Sequence, residues 1–222
     1  MDFANLIQTV TVWALPVVFA ITMHEAAHGY VAKRLGDNTA FMLGRVTLNP
    51  IPHIDPIGTI LMPLLLYFAT SGGFLFGYAR PVPVRFERLR HPKRDMVWVA
   101  LAGPGSNLFQ AFMWALISVG LVMASVQEPF WFQMCRAGVL VNLAMFAFNL
   151  FPLPPLDGGR IAVGLLPRGA AIALAGLERY GFFIVLALVV TGLIGQYWML
   201  PLMDLGQMLI GLVLSPLQML LH

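Results

Sequence analysis

His24 and His28, with Glu25 between them, lie in a nearly unbroken apolar stretch of the chain. On a helix, residues four apart stand on one face, about 5–6 Å from each other. Both imidazoles can therefore reach one metal ion. Zinc suits neutral imidazole nitrogens, and a catalytic zinc keeps one position open for water. Glu25 is placed to take a proton from that water and pass it to a leaving amine. Ionisable side chains are costly in hydrocarbon, so such a cluster in a membrane helix marks function.

Two histidines need a third protein ligand. Asp157 is the best placed: it follows an apolar helix broken by Pro152, Pro154 and Pro155, and Gly158 and Gly159 come after it. Prolines remove backbone donors, and such an interruption is tolerated at membrane depth only where it lines a cavity or is packed in protein. His53 and Asp55, in a proline-rich stretch, are rival ligands. Asn149, on the helix that delivers Asp157, could supply an amide to the oxyanion that develops during acyl transfer.

The elements that must position these residues are membrane helices. Of the 222 residues, 59% are hydrophobic and 10% charged, and the mean hydropathy is +0.81. Globular domains run near 45–50% and 25%, so an ordinary soluble enzyme is excluded. The net charge of +3 is clustered in loops, which reads as a topology signal and not as nucleic-acid affinity. One cysteine, Cys135, excludes an internal disulfide framework. The first apolar run has no basic n-region and reads as a retained helix.

The expected architecture is an all-α polytopic membrane protein, one domain over 1–222, with five to six transmembrane helices. The first runs from Asn5 to Leu35. A short β-hairpin is expected near Gly44–Pro50, where β-branched residues precede Pro50, Pro52 and Pro56. Further helices are expected over Met96–Ser125, Trp131–Phe151, Leu177–Tyr197 and Leu202–Leu221, with a short one after Asp157. Lys33, Arg34, Arg45 and the basic stretch Arg85–Arg94 should all be cytoplasmic, which requires Ile57–Val84 to enter and return on one side as a re-entrant segment. The helix ending at Phe151 then arrives on the side where the His24 helix ends. The metal site would lie about 10 Å below that end, at 1.5 Å per residue.

His24-Glu25-Ala26-Ala27-His28-Gly29, together with Asn149-Leu150-Phe151-Pro152-Leu153-Pro154-Pro155-Leu156-Asp157-Gly158-Gly159-Arg160, resembles the site-2 protease family of intramembrane zinc metalloproteases. Gly103-Pro104-Gly105-Ser106-Asn107 is similar to the family's GPxxN element, and Gly44–Thr59 to the segment after the first motif in small bacterial members. The resemblance covers roughly Ile21 to Leu165. It implies one zinc ion held by His24, His28 and Asp157, with Glu25 as catalytic base and Asn149 holding substrate or oxyanion. It further implies hydrolysis of a peptide bond within or beside a substrate's transmembrane helix, in the inner (plasma) membrane. Two departures bear on substrate selection: the first motif comes early, and the chain has no room for a PDZ or cytoplasmic regulatory domain.

Other readings stand beside these. Asn107 is a candidate substrate-binding residue, or part of a small-residue packing stretch. Arg45, Val46 and Thr47 could form a strand edge that grips an unwound substrate, or a surface hairpin. Asn142 reads as an interhelical hydrogen-bonding residue. The expected partners are a membrane protein with a transmembrane helix and the bilayer itself, with no nucleic acid. A metal transporter using the same His/Asp cluster is the alternative function, and a proteolytically inactive relative is a third.

Overall fold

The computed structural model describes residues 3–61, 65 and 79–219. Its elements are helical. Helix α1 spans Phe3–Arg34, α2 Thr39–Met42, α3 Pro92–Met123, α4 Pro129–Asn149, α5 Asp157–Leu165, α6 Arg168–Ala175, α7 Glu178–Val190 and α8 Leu200–Met219, with short 3-10 and π turns at Ile51–His53, Pro56–Leu61, Phe86–Arg88 and Gly195–Met199. Four helical spans among the described residues are long and apolar enough to cross a membrane: Ile7–Arg34, Pro92–Met123, Pro129–Asn149 and Gly195–Leu217. The pair α6 and α7, bent by 67°, makes a fifth if it counts as one span. The chain is thus a multi-pass membrane protein by helix length and composition, with four or five spans against the expected five to six.

The packing is that of helices in lipid. Buried positions are small, as at Ala20, Ala32, Ala111, Ala137 and Ala147, whereas large side chains such as Trp98, Phe109, Phe183 and Leu212 point outward. Lipid tails are as apolar as leucine, so helices associate by close van der Waals approach, which small residues permit. Gly138 of α4 shows this directly, because a Cβ there would overlap the Trp114 ring of α3.

Contacts fix the helix directions. His24 and His28 of α1 meet Asn107 and the Val99 carbonyl of α3, so these two helices are antiparallel. Asn107 meets Asn142 of α4, and Leu143 of α4 packs on Gly206 of α8. With Trp114 of α3 against Gly138 of α4 as well, α1 and α4 run one way and α3 the other, as expected from the charge pattern. Trp198, just before α8, donates its Nε1–H to Ala147 O, and with Gly206 on Leu143 this sets α8 antiparallel to α4.

The β-hairpin expected after the first helix is not formed, and no strand occurs among the described residues. Pro50, Pro52 and Pro56 lack the N–H groups that a ladder needs. Donors nearby are used locally instead. Asn49 N–H bonds Thr47 Oγ1, Ile51 N–H bonds Asn49 Oδ1, and the N–H groups of Ile57 and Gly58 bond Asp55 Oδ1.

Of the expected re-entrant segment, residues 62–64 and 66–78 lie outside the described residues. The two ends of the excursion do meet. Arg90 N–H donates to Leu35 O at 2.9 Å, and Arg85 N–H donates to Asp37 Oδ2 at 2.7 Å. The chain leaves α1 and rejoins it at the same end.

Candidate metal centre

The first half of the site is built on one face of α1. His24 and His28 point at α3, where Gly103 makes room for them: a Cβ on Gly103 would overlap His28 Nε2 and lie 2.6 Å from His24 Cε1. Asp157 arrives from the other half of the bundle. After α4 ends at Asn149, the proline-rich stretch turns through bonds from Leu153 N–H to Phe151 O and from Leu156 N–H to Leu153 O. Gly158 and Gly159 then lie directly on the main chain of residues 150–154, in places a Cβ could not occupy. This tight return carries Asp157, the first residue of α5, back to the imidazoles.

Both imidazoles are held from behind. His24 Nδ1 lies 2.6 Å from Asn107 Oδ1, and His28 Nδ1 lies 2.7 Å from the Val99 carbonyl oxygen. Oxygen acceptors at Nδ1 require a proton there, which in the neutral ring that binds a metal leaves a lone pair on each Nε2. The two Nε2 atoms are 3.1 Å apart, and Asp157 Oδ2 lies 3.3 Å from each. That oxygen is buried and has no hydrogen-bond partner. Three acceptors thus converge with no donor between them, an arrangement that a cation relieves.

The triangle also has the right size. Ligand atoms about 2.0–2.1 Å from a tetrahedral centre stand roughly 3.3 Å from one another. Two imidazole nitrogens and one carboxylate oxygen form a donor set suited to zinc in a catalytic site, with a fourth position free for water. Among the described residues His24, His28 and Asp157 are the one group of three that could hold a metal.

The rivals lie elsewhere. His53 is buried with Nε2 on the Thr47 carbonyl, and Asp55 accepts two backbone N–H groups of its own turn.

Glu25 projects toward a different neighbour. Its Oε2 accepts the backbone N–H of Val82 at 2.7 Å. Val82 belongs to a stretch without regular structure, residues 79–85, which is tied down from both sides. Arg80 N–H donates to His53 O at 2.9 Å, and Arg45 Nη2 donates to Arg80 O at 2.8 Å and to Pro81 O at 3.3 Å. The side chains of Val46 and Val82 close on Gly29 of α1.

The expected site residues therefore fall into groups. His24, His28 and Asp157 come together, and Glu25 sits beside them on α1. Asn107 is fully buried against His24. Arg45 and Thr47 are engaged within the chain, the latter through its carbonyl and hydroxyl. Asn149 ends α4, its Nδ2 on Met145 O at 3.0 Å. Sequence reasoning did not find the Val99 carbonyl, the Val82 N–H or the role of Gly103 as the wall behind the histidines. The first two are backbone groups without a residue signature. The third had a signal, in that a Gly-Pro pair inside a membrane helix marks a close approach.

Comparison with known proteins yields relatives along most of the chain. YwhC of Bacillus subtilis (strain 168), which carries the name of a zinc metalloprotease, is 41% identical over 198 residues, 87% of this chain and 86% of its own length. Rip2 of Mycolicibacterium smegmatis, also named for a zinc metalloprotease, is 30% identical over 185 residues, covering 82% of this chain and 67% of Rip2. Stage IV sporulation protein FB of Bacillus subtilis is 26% identical over 148 residues, 66% of this chain and 48% of that protein. No family model matches the chain, and no solved structure does.

Proposed function

The chain belongs to the site-2 protease family, the zinc metalloproteases that include YwhC and Rip2, and on that premise we propose that it is an intramembrane endopeptidase that hydrolyses a peptide bond within or next to a transmembrane helix of a membrane-protein substrate. The observation that carries the reading is the triangle of His24 Nε2, His28 Nε2 and Asp157 Oδ2, set inside helices apolar enough to span a bilayer.

His24, His28 and Asp157 would hold one zinc ion, which supplies Lewis acidity toward a water and a carbonyl oxygen. Glu25 takes the proton of the attacking water on its carboxylate. As the water oxygen bonds to the carbonyl carbon and the C–N bond breaks, Glu25 returns that proton to the leaving nitrogen. The Val82 N–H holds Oε2 and leaves Oε1 for the water. Asn149 is assigned to the substrate carbonyl, where its amide donates as negative charge develops. A helix hides its carbonyls in hydrogen bonds, so the substrate must unwind to be cut. Arg45, Val46 and Thr47, beside the segment over Glu25, are the part of the site assigned to receive the unwound chain.

Orientation follows from charge. Lys33, Arg34, Arg85, Arg88 and Arg90 gather where α1 ends and α3 begins, which supports a cytoplasmic position for that end in a plasma membrane. His28 lies six residues from Arg34, about 9 Å along the helix, so the metal centre sits inside the cytoplasmic leaflet.

Capture tests the reading. Glu25→Gln, expressed where the protein is native, should retain a membrane protein that mass spectrometry identifies and that the unaltered enzyme cuts in its apolar segment. Recovery of no such substrate, together with zinc flux through liposomes containing the purified protein, would favour a transporter.

A further inference from the structure

The hydrogen bonds behind His24 continue through two further helices and have a direction. Asn142 Nδ2 donates to the main-chain carbonyl of Gly138 at 2.9 Å. A carbonyl only accepts, so Asn142 must present its NH2 there and its Oδ1 to α3. Asn107 Nδ2 donates to that Oδ1 at 2.9 Å and to Ala20 O of α1 at 3.2 Å. Both amide protons of Asn107 are then used, and its Oδ1 is left facing His24 Nδ1 at 2.6 Å. Asn107 and Asn142 are both fully buried, so water cannot substitute for any link.

We infer that Asn142 and Asn107 are positioning residues for the metal centre, a polar relay that carries the polarity of the Gly138 carbonyl across α4 and α3 to fix His24 with its proton on Nδ1. The inference rests on the metalloprotease reading. If the relay were reversed at any link, two acceptors or two donors would face each other in a buried site, which costs more than the bond itself. With the relay intact, the His24 Nε2 lone pair and ring plane are set before any metal arrives. His28 needs no relay, because the Val99 carbonyl, an acceptor by covalent structure, does the same for it directly. Asn142 touches no metal ligand, yet together with the Ala20 carbonyl it holds the amide end of Asn107 and so turns the oxygen to His24.

The test uses the full chain purified in detergent. Zinc affinity is measured by competition with a chromophoric chelator, and the ligand field by the visible spectrum of the cobalt-substituted protein. Asn142→Leu removes both ends of the link at similar volume and should weaken zinc binding by about 10-fold or more, the range found when outer hydrogen bonds of metal ligands are removed, and should shift the cobalt bands. Leu143→Ala, at the next buried position of α4, should destabilise the fold while leaving affinity within about twofold and the bands unmoved. Should Asn142→Leu fail to fold, Asn142→Asp serves. A buried carboxyl stays neutral and keeps one donor and one acceptor, so it should retain more affinity than Asn107→Leu. Unchanged affinity and bands in Asn142→Leu, or an equal loss in Leu143→Ala, would overturn the relay. An unaltered protein that binds no zinc would instead overturn the metalloprotease reading itself.

Discussion

The backbone N–H of Val82 donates to Glu25 Oε2 at 2.7 Å, across 57 residues of sequence. Val82 stands between Pro81 and Pro83, neither of which has an N–H, so it is the one main-chain donor between Arg80 and Val84. A hydrogen bond to a charged acceptor contributes about 1.5–3 kcal/mol, enough to hold the carboxylate in one orientation.

Val82→Pro removes that donor and should lower kcat by about 10-fold, equivalent to about 1.4 kcal/mol, with zinc content unchanged. Val82→Ala keeps the N–H and trims only the methyls near Gly29, so its kcat should stay close to that of the unaltered enzyme. Steady-state cleavage of one transmembrane peptide by both variants separates these outcomes; equal activity would remove Val82 from the account.

Gly103→Ala places a methyl where the imidazoles of His24 and His28 pack. The rings must rotate or α1 must move from α3, and overpacking of this kind costs about 1–3 kcal/mol. Zinc affinity should fall by more than 10-fold, as for loss of an outer hydrogen bond. Gly105→Ala, two residues on with open space at its Cβ, should bind zinc normally.

These two positions mark what was legible in the sequence. The i, i+4 histidines, the neighbouring glutamate and the aspartate after the proline break could be read directly, because each carries its chemistry in its side chain. The relative directions of α1, α3 and α4 could be read too, because basic residues collect at particular ends. The Val82 N–H and the Val99 carbonyl could not, since any residue has them and only the fold chooses which one arrives. The expected β-hairpin failed for a related reason. β-Branched residues at Val46 and Thr47 satisfied a strand pattern, but no partner strand forms among the described residues and the nearby donors bond within their own turns.

Chelation should destabilise the protein selectively. Without a cation, His24 Nε2, His28 Nε2 and Asp157 Oδ2 face one another as acceptors. A ligand at 100 times its Kd stabilises the native state by about 2.7 kcal/mol. Added zinc should therefore raise the Tm of the chelated protein in detergent. Asp157→Asn should abolish most of that rise, and an equal rise in the variant would exclude Asp157 as a ligand.

Asp37 closes the end of α1 to the returning chain and gives a pH dependence outside the membrane spans. Burial alone would raise its pKa, but bonds from the Thr39 hydroxyl, Arg85 N–H and Thr39 N–H, with Arg88 nearby, hold it below the usual aspartate range. A depressed carboxylate stabilises the fold above its unfolded pKa, near 4, and that contribution is lost as pH falls further. Asp37→Ala should lower stability at pH 7 by about 1.5–3 kcal/mol. The gap between variant and unaltered protein should narrow below about pH 4; melting curves across pH 3–7 that stay parallel would contradict this.

The most direct measurement pairs zinc content with cleavage in Glu25→Gln. The unaltered protein and the variant are purified, their zinc is determined per chain, and each is incubated in liposomes with a single-span peptide, whose products are mapped by mass spectrometry. One zinc per chain is expected in both, with cuts inside the apolar segment made by the unaltered protein alone. Cleavage by Glu25→Gln at the same rate, or a zinc-free protein that cuts equally well, would contradict a zinc hydrolase with Glu25 as its base.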